Sequence, residues 1–176
     1  MPSQGPNSPT AAANDTSAGT RAWETPGNVF GSDNAYAQAS APSVTALTYY
    51  LKATGFGFTV PSGATINGIV VEIERRASGT VKDASVRLYK GGALAGADRG
   101  DLETAWPTSD ASRTYGGATD LWGTTWTPAD VNSSTFGVGL QAQMSPLAQA
   151  LVDHIRVTVY YTEAPGSGSL SMTQVI

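Results

Sequence analysis

The stretch TINGIVVEIERR, residues 65–76, decides the fold class of this chain. Its side chains form two alternating sets. One set consists of Ile69, Val71 and Ile73, and the other consists of Val70, Glu72 and Glu74. An alternation with period two is typical of a β-strand, because successive side chains of a strand point to opposite faces of the sheet. The stretch therefore predicts a strand with one face in a hydrophobic core and the other face, which carries two glutamates, in solvent.

The same alternation recurs on both sides of this strand. It is clear in residues 83–90, 136–144 and 151–161, and residues 43–51 and 55–60 also read as strands. The residues predicted to face the core are Ile69, Val71, Ile73, Val86, Leu88, Phe136, Val138, Leu140, Ile155, Val157 and Val159. Several short strands joined by turns predict an all-β fold, an antiparallel β-sandwich of jelly-roll-like form.

One helical turn interrupts this pattern, within residues 127–134. Thr127 is suited to the N-cap, Pro128 to the first helical position, and Asp130 to the positive end of the helix dipole. No long segment shows a helical period, which supports the assignment of an all-β fold.

The chain divides into three parts by composition. Residues 1–20 are Pro, Ser, Ala, Asn, Gly and Thr with almost nothing to bury, and predict an extended N-terminal arm. Residues 21–162 form the sandwich domain, and residues 163–176 a Gly/Ser linker followed by a C-terminal tail peptide.

The tail peptide ends in MTQVI, in which Met172, Gln174 and Ile176 alternate with Thr173 and Val175. An added edge strand has such alternation, and it can pair with the sheet edge of a neighbouring protein. We therefore predict that the arm and this peptide attach the domain to a partner.

Composition excludes several classes of function. The net charge of −4 offers no basic field for phosphate, which argues against nucleic-acid binding. The absence of cysteine excludes disulfides and thiolate metal sites. No apolar run approaches the roughly 18 residues of a membrane span, and residues 1–20 lack the features of a secretory signal, so synthesis in a cytoplasm is expected. No phosphate-binding loop or calcium loop is recognisable, so no cofactor or metal is predicted.

His154 is the only histidine and stands beside Asp153. Alternation in the last strand directs His154 outward, in line with Arg156, and gives Asp153 the opposite orientation, where it can bond turn amides. Asp153 is therefore poorly placed to orient His154 as the acid of a catalytic triad does. No nucleophile-elbow motif is present either, and we interpret His154 as a residue of a polar sheet surface.

Glu72 and Glu74 are the other candidate pair for catalysis. Two residues apart on a strand, their Cα atoms lie about 6–7 Å apart, which overlaps the spacing of glycosidase carboxylates. Glycosidase carboxylates flank a cleft, however, whereas these stand side by side. A cross-strand charge ladder with Arg87 and Arg156 is the preferred interpretation, provided that their strands are neighbours.

Aromatic residues offer one possible ligand or partner surface, consisting of Trp106, Tyr115, Trp122 and Trp126. In loops these rings could stack on a sugar. Burial in the core or under a lid is the competing interpretation, since tryptophan usually hides most of its area and bonds its N–H internally.

The pieces FTVPSGATINGIVVEIERRAS, VKDASVRLYKGG, TYGGATDLWGTTWTPADVNSSTFGVGLQAQ and VDHIRVTVYYT together resemble a module of bacteriophage virion structural proteins. The resemblance spans about residues 23–162. It implies a β-sandwich on the virion, as a head decoration (cement) protein or an accessory domain of a tail, without catalytic residues. It also implies synthesis in the bacterial cytoplasm, with the major capsid protein or a tail protein and copies of itself as partners.

Two functions therefore remain open, neither of them enzymatic, and a glycosidase is a distant third. The first is a structural protein of a phage particle, a capsid decoration protein attached through its tails and sheet edges. The alternative is a carbohydrate- or receptor-binding module of a phage tail or cell-surface protein, which uses the tryptophan-bearing loops.

Overall fold

The computed structural model describes residues 1–165. This part of the chain forms twelve strands, listed here in chain order. They are β1 Ser3–Asn7, β2 Ala11–Asp15, β3 Ala37–Ser40, β4 Ala46–Leu47, β5 Tyr50–Thr54, β6 Thr65–Ser78, β7 Val81–Lys90, β8 Ala93–Ala95, β9 Asp101–Ala105, β10 Ala111–Gly117, β11 Gly137–Met144 and β12 Gln149–Thr162.

The strands form two antiparallel sheets. The first has five strands in the order β1-β12-β6-β10, with β3 also paired to β12. The second has seven, in the order β2-β5-β11-β7-β8, with β4 paired to β11 and β9 to β7. The predicted all-β, antiparallel sandwich is confirmed.

Two short helices complete the described chain, a 3₁₀ helix at Pro26–Val29 and an α-helix, α1, at Pro128–Asn132. The predicted cap of α1 is confirmed, because Thr127 and Asp130 form a capping box. No helix among residues 1–165 is both long and apolar enough to cross a membrane.

Consecutive strands repeatedly pass from one sheet to the other. Only Gly79 and Thr80 separate β6 in the first sheet from β7 in the second. Gly79 has φ +80°, and a Cβ there would lie 2.9 Å from Cβ of Ala148, so this turn requires glycine. The pairs β9–β10 and β11–β12 change sheets in the same way. As a result β6 pairs with β12, and β7 pairs with β11.

The core lies between the inner faces of the two sheets. Ile73 of β6 is in register with Ile155 of β12, and Leu140 of β11 with Val86 of β7. Every residue predicted to face the core is fully buried: Ile69, Val71, Ile73, Val86, Leu88, Phe136, Val138, Leu140, Ile155, Val157 and Val159. The register predicted from alternation is therefore confirmed.

The start of the chain differs from the predicted N-terminal arm, residues 1–20. β1 pairs with β12 at the edge of the first sheet, and β2 pairs with β5 at the edge of the second. Asn14 fixes β2 further, because its side chain exchanges hydrogen bonds of 2.8 and 2.9 Å with the backbone of Trp23. These strands are held by main-chain hydrogen bonds, which need no large apolar side chain, and this explains why composition missed them. The predicted attachment residues Met172, Gln174 and Ile176 lie outside the described residues.

Residues 55–60 also differ from the prediction, since they form no strand. Gly55 and Gly57 have φ of +74° and +67°, outside the β region. The turns still direct Phe56 and Phe58 into the core, where each ring packs edge-on against Phe136. The alternation here reflects burial of a loop rather than pairing of a strand.

Candidate functional site

The outer face of the first sheet carries a polar cleft of about 220 Å³. Strands β6, β10 and β12 form its floor, and the segment that follows the 3₁₀ helix forms one side. The lining side chains are Ser32, Glu72, Glu74, Ser112, His154 and Arg156. The cleft thus combines two carboxylates, a guanidinium, an imidazole and two hydroxyls, which together donate and accept hydrogen bonds. We call it the β6–β12 cleft.

Two cross-strand rows form the floor of this cleft. Glu74 is in register with Ser112 on one side and with His154 on the other. Glu72 is in register with Arg156, and the two are joined by an ion pair of 3.1 Å. The predicted charge ladder therefore exists between β6 and β12. Arg87 is not part of it, because β7 belongs to the opposite sheet and Arg87 donates to the carbonyl of Gly96.

His154 is half-buried at the edge of the cleft. Its Nε2 lies 2.8 Å from the hydroxyl of Ser8, in the turn between β1 and β2. Burial lowers the pKa of His154, and the positive charge of Arg156 lowers it further. The imidazole is therefore neutral at neutral pH and contributes hydrogen bonds rather than charge.

Asp153 has a structural role next to the cleft. The pairing of β12 with β6 shifts register between Val152 and His154, which places Asp153 at a β-bulge, and Asp153 is 1% exposed. Its carboxylate accepts the backbone N–H groups of Asp33 and Asn34 at 3.1–3.3 Å. Burial raises the pKa of this carboxyl, opposed by those hydrogen bonds. The prediction that Asp153 bonds turn amides is confirmed, and these bonds hold residues 30–34 over the sheet.

This anchored segment brings an aromatic residue, Phe30, to the strand that carries His154. Phe30 forms an antiparallel bridge with His154 and stands two residues before Ser32, which lines the cleft. Its side chain is 39% exposed, and its ring lies against Gly27, where an added Cβ would be 3.4 Å from the ring. An exposed aromatic residue is thus paired through its backbone with a residue that lines the cleft.

The predicted aromatic ligand surface, by contrast, is buried. Trp106, Tyr115, Trp122 and Trp126 are each at most 6% exposed. Their polar atoms donate internally: Trp106 and Tyr115 to Asp83, Trp122 to the carbonyl of Ile69, and Trp126 to that of Leu121. These rings therefore offer no stacking surface, because burial gains apolar contact while each N–H or O–H retains a partner. The competing interpretation of core packing is the correct one.

The Ser8–His154 pair at the cleft lacks the carboxylate of a catalytic triad among residues 1–165. Ser8 and His154 form a pair, but both oxygens of Asp153 are engaged by backbone amides, and no carboxylate bonds Nδ1 of His154 in the described chain. Glu72 and Glu74 lie on the same strand, so they stand side by side on the floor of the cleft rather than on opposite sides of a glycosidic bond. Within residues 1–165 no three His, Asp or Glu side chains are placed to hold a metal ion.

Sequence reasoning identified four of the six lining residues and missed Ser32 and Ser112. Glu72, Glu74, His154 and Arg156 were recognisable as an outward polar row. Ser8, Phe30 and Ser32 come from loops that only tertiary structure brings to the sheet. The one available signal was the apolar Phe30 directly before the turn-forming residues GSDN, 31–34.

The comparisons with known proteins concern the fold. No protein-family model matches this sequence, and no curated protein matches it. One similar solved structure is a CBM4 carbohydrate-binding module, with 12% identity, coverage of 72% of this chain and 85% of that chain, and a TM-score of 0.38. Another is TmCBM61 in complex with β-1,4-galactotriose, with 9% identity, coverage of 84% and 86%, and a TM-score of 0.41.

Proposed function

We propose that this protein is a non-catalytic carbohydrate-binding domain that holds a saccharide in the β6–β12 cleft. The observation that carries the proposal is a cleft lined by charged and hydroxyl side chains, with the exposed aromatic residue Phe30 bridged through its backbone to His154 of that cleft. A pyranose presents hydroxyls at its rim and C–H groups on its faces. A site for it therefore needs convergent hydrogen-bonding groups together with an apolar ring.

The size and rigidity of the cleft suit a short saccharide. Its volume of about 220 Å³ is below the roughly 300–1,000 Å³ of pockets for drug-sized ligands, as expected for a small ligand. Its floor is built on paired strands, and the segment that carries Phe30 is tied down by Asp153. Both features reduce the entropy lost on binding. The tryptophans are buried, so the residues proposed to contact the saccharide are Phe30 and the polar side chains of the cleft.

Binding should depend on Phe30 and Arg156. We expect Phe30→Ala and Arg156→Ala each to weaken binding of a retained glycan at least about tenfold, equivalent to ~1.4 kcal/mol. Isothermal titration calorimetry on glycans first selected from an array measures this. Val44→Ala is the matched control, because Val44 is also apolar and exposed, at 61%, but does not line the cleft.

Three outcomes would contradict the proposal. The first is that the protein retains no glycan from an array of neutral, acidic and amino sugars. The second is that both cleft variants bind with unchanged affinity, and the third is that the protein hydrolyses a bound glycan. Thermal unfolding of each variant provides the check on folding. Both side chains are more than a third exposed, so their loss should leave the fold intact.

The location on a virion, the capsid or tail partner and the homo-oligomer stay predictions from the resemblance. The structure restricts where attachment segments can lie, because residues 3–15 belong to the two sheets. A truncation that spares these strands is the appropriate test. We expect a chain ending at residue 165 to melt as the full chain does, but to lose oligomer mass in light scattering and occupancy on particles of its source. Full occupancy without residues 166–176 would overturn the attachment role of the tail peptide.

A further inference from the structure

Among residues 1–165, one carboxylate in the β6–β12 cleft, that of Glu74, has no positively charged partner. Glu72 is neutralised by Arg156 at 3.1 Å, and Arg76, further along β6, lies 4.0 Å from Asp110. Glu74, between Glu72 and Arg76 on the strand, makes no hydrogen bond or ion pair with any of residues 1–165. The charges within each of these two ion pairs cancel, so the carboxylate of Glu74 leaves the cleft with one negative charge.

The immediate neighbours of Glu74 do not supply the missing charge. Across the strands Glu74 stands opposite Ser112 and His154, at a usual cross-strand Cβ spacing of about 4.5–5.5 Å. Ser112 is uncharged, and burial lowers the pKa of His154, so its imidazole is neutral at neutral pH. Asp153, which precedes His154 in the chain, is acidic and supplies no positive charge either. A cation that reaches Glu74 would thus meet one carboxylate flanked by two uncharged hydrogen-bonding groups.

We infer that the cleft selects a sugar with a protonated amine, such as a 2-amino-2-deoxy pyranose, and that Glu74 receives the ammonium group. The inference rests on the proposed function and specifies its ligand class. A neutral sugar leaves the charge of Glu74 unpaired, and a uronic acid places a second negative charge beside it. An ammonium forms a charge-assisted hydrogen bond, roughly twice as strong as a neutral one. The net charge of −4 also favours approach of a cationic ligand.

The test compares two oligosaccharides that differ only in N-acetylation, the tetramers of glucosamine and of N-acetylglucosamine. Titration calorimetry at neutral pH should show about tenfold or tighter binding of the amino form to the full-length protein. Glu74→Gln should bring the two affinities together. Glu103→Gln is the matched control, because it removes the same charge from an exposed residue of β9 outside the cleft, and it should retain the preference.

The outcomes separate this inference from the proposed function. Equal affinities of the wild-type protein for the two tetramers, or a preference that survives Glu74→Gln, would overturn the role of Glu74 while carbohydrate binding stands. Absence of binding to either tetramer, with binding of a neutral or acidic glycan, would overturn the ligand class alone. Absence of binding to every glycan would overturn both.

Discussion

Replacing Asp83 with asparagine should lower the free energy of unfolding by about 3–5 kcal/mol, because it leaves a buried arginine without a counter-ion. Asp83 is fully buried on β7, and Arg75, on β6 in the opposite sheet, is 2% exposed. Their ion pair of 3.2 Å therefore joins the two sheets through the core. Asparagine keeps the shape of Asp83 but removes its charge.

The surroundings of this pair explain the size of the expected effect. Asp83 also accepts hydrogen bonds of 2.8 Å from the indole of Trp106 and the hydroxyl of Tyr115. Burial raises the pKa of Tyr115, and the charge of Asp83 raises it further, so the phenol stays protonated and donates. The guanidinium of Arg75 lies 4.8 Å from the centre of the Trp106 ring and contacts the Tyr115 hydroxyl. Because asparagine fills the same space, the guanidinium of Arg75 loses its counter-ion and gains no solvent in exchange.

Urea denaturation followed by fluorescence measures the change. Glu72→Gln is the matched control, since it makes the same acid-to-amide change in a partly exposed ion pair, where about 0.2–1 kcal/mol is expected. The double variant Arg75→Met/Asp83→Asn should recover part of the loss, because it removes the stranded cation. A cost for Asp83→Asn no greater than that of Glu72→Gln would show that the inter-sheet pair does not stabilise the fold.

Leu140→Ala should cost about 2–5 kcal/mol, because truncation leaves a cavity in the centre of the sandwich. Leu140 is fully buried on β11, in register with Val86 of β7 and Leu51 of β5. Paired strands on both sides limit how far the site can collapse around the smaller side chain. Ile73 is fully buried on the facing sheet, so Ile73→Ala should lower the free energy of unfolding by an amount in the same range.

The same chain supplies the control for this prediction. Leu147 lies in the turn before β12 and is 75% exposed, so Leu147→Ala should change the free energy of unfolding by no more than about 0.5 kcal/mol. Denaturation curves of the three variants give the comparison. Similar losses for Leu140→Ala and Leu147→Ala would mean that the assigned core does not control stability.

The local sequence determined which face of each long strand is buried. The alternation in residues 65–76 and 136–144 identified Ile73 and Leu140 as core residues without knowledge of any contact. It also directed Glu72, Glu74, His154 and Arg156 outward, which gave part of the candidate site. A period of two is a property of the strand itself, so it can be read before the strand has a partner.

Only the tertiary structure decided which strands are neighbours. Residues 79–80 send β7 to the opposite sheet, which removes Arg87 from the charge ladder and leaves Arg156 as the partner of Glu72. The pairing of β1 and β2 was also invisible, because main-chain hydrogen bonds are available to any sequence without proline at the bonded position.

The buried pair Arg75–Asp83 and the aromatic edge of the cleft illustrate the same limit. Arg75 shares the inward parity of Ile73, yet its charge suggests exposure, and only the folded chain brings Asp83 to it. Phe30 pairs with His154 next to the point where Asp153, more than a hundred residues later in the chain, binds the backbone N–H of Asn34. Side-chain direction is set by neighbours along the chain, whereas the counter-ion of a buried charge or the anchor of a loop depends on contacts between distant segments, which exist only after the sheets have packed.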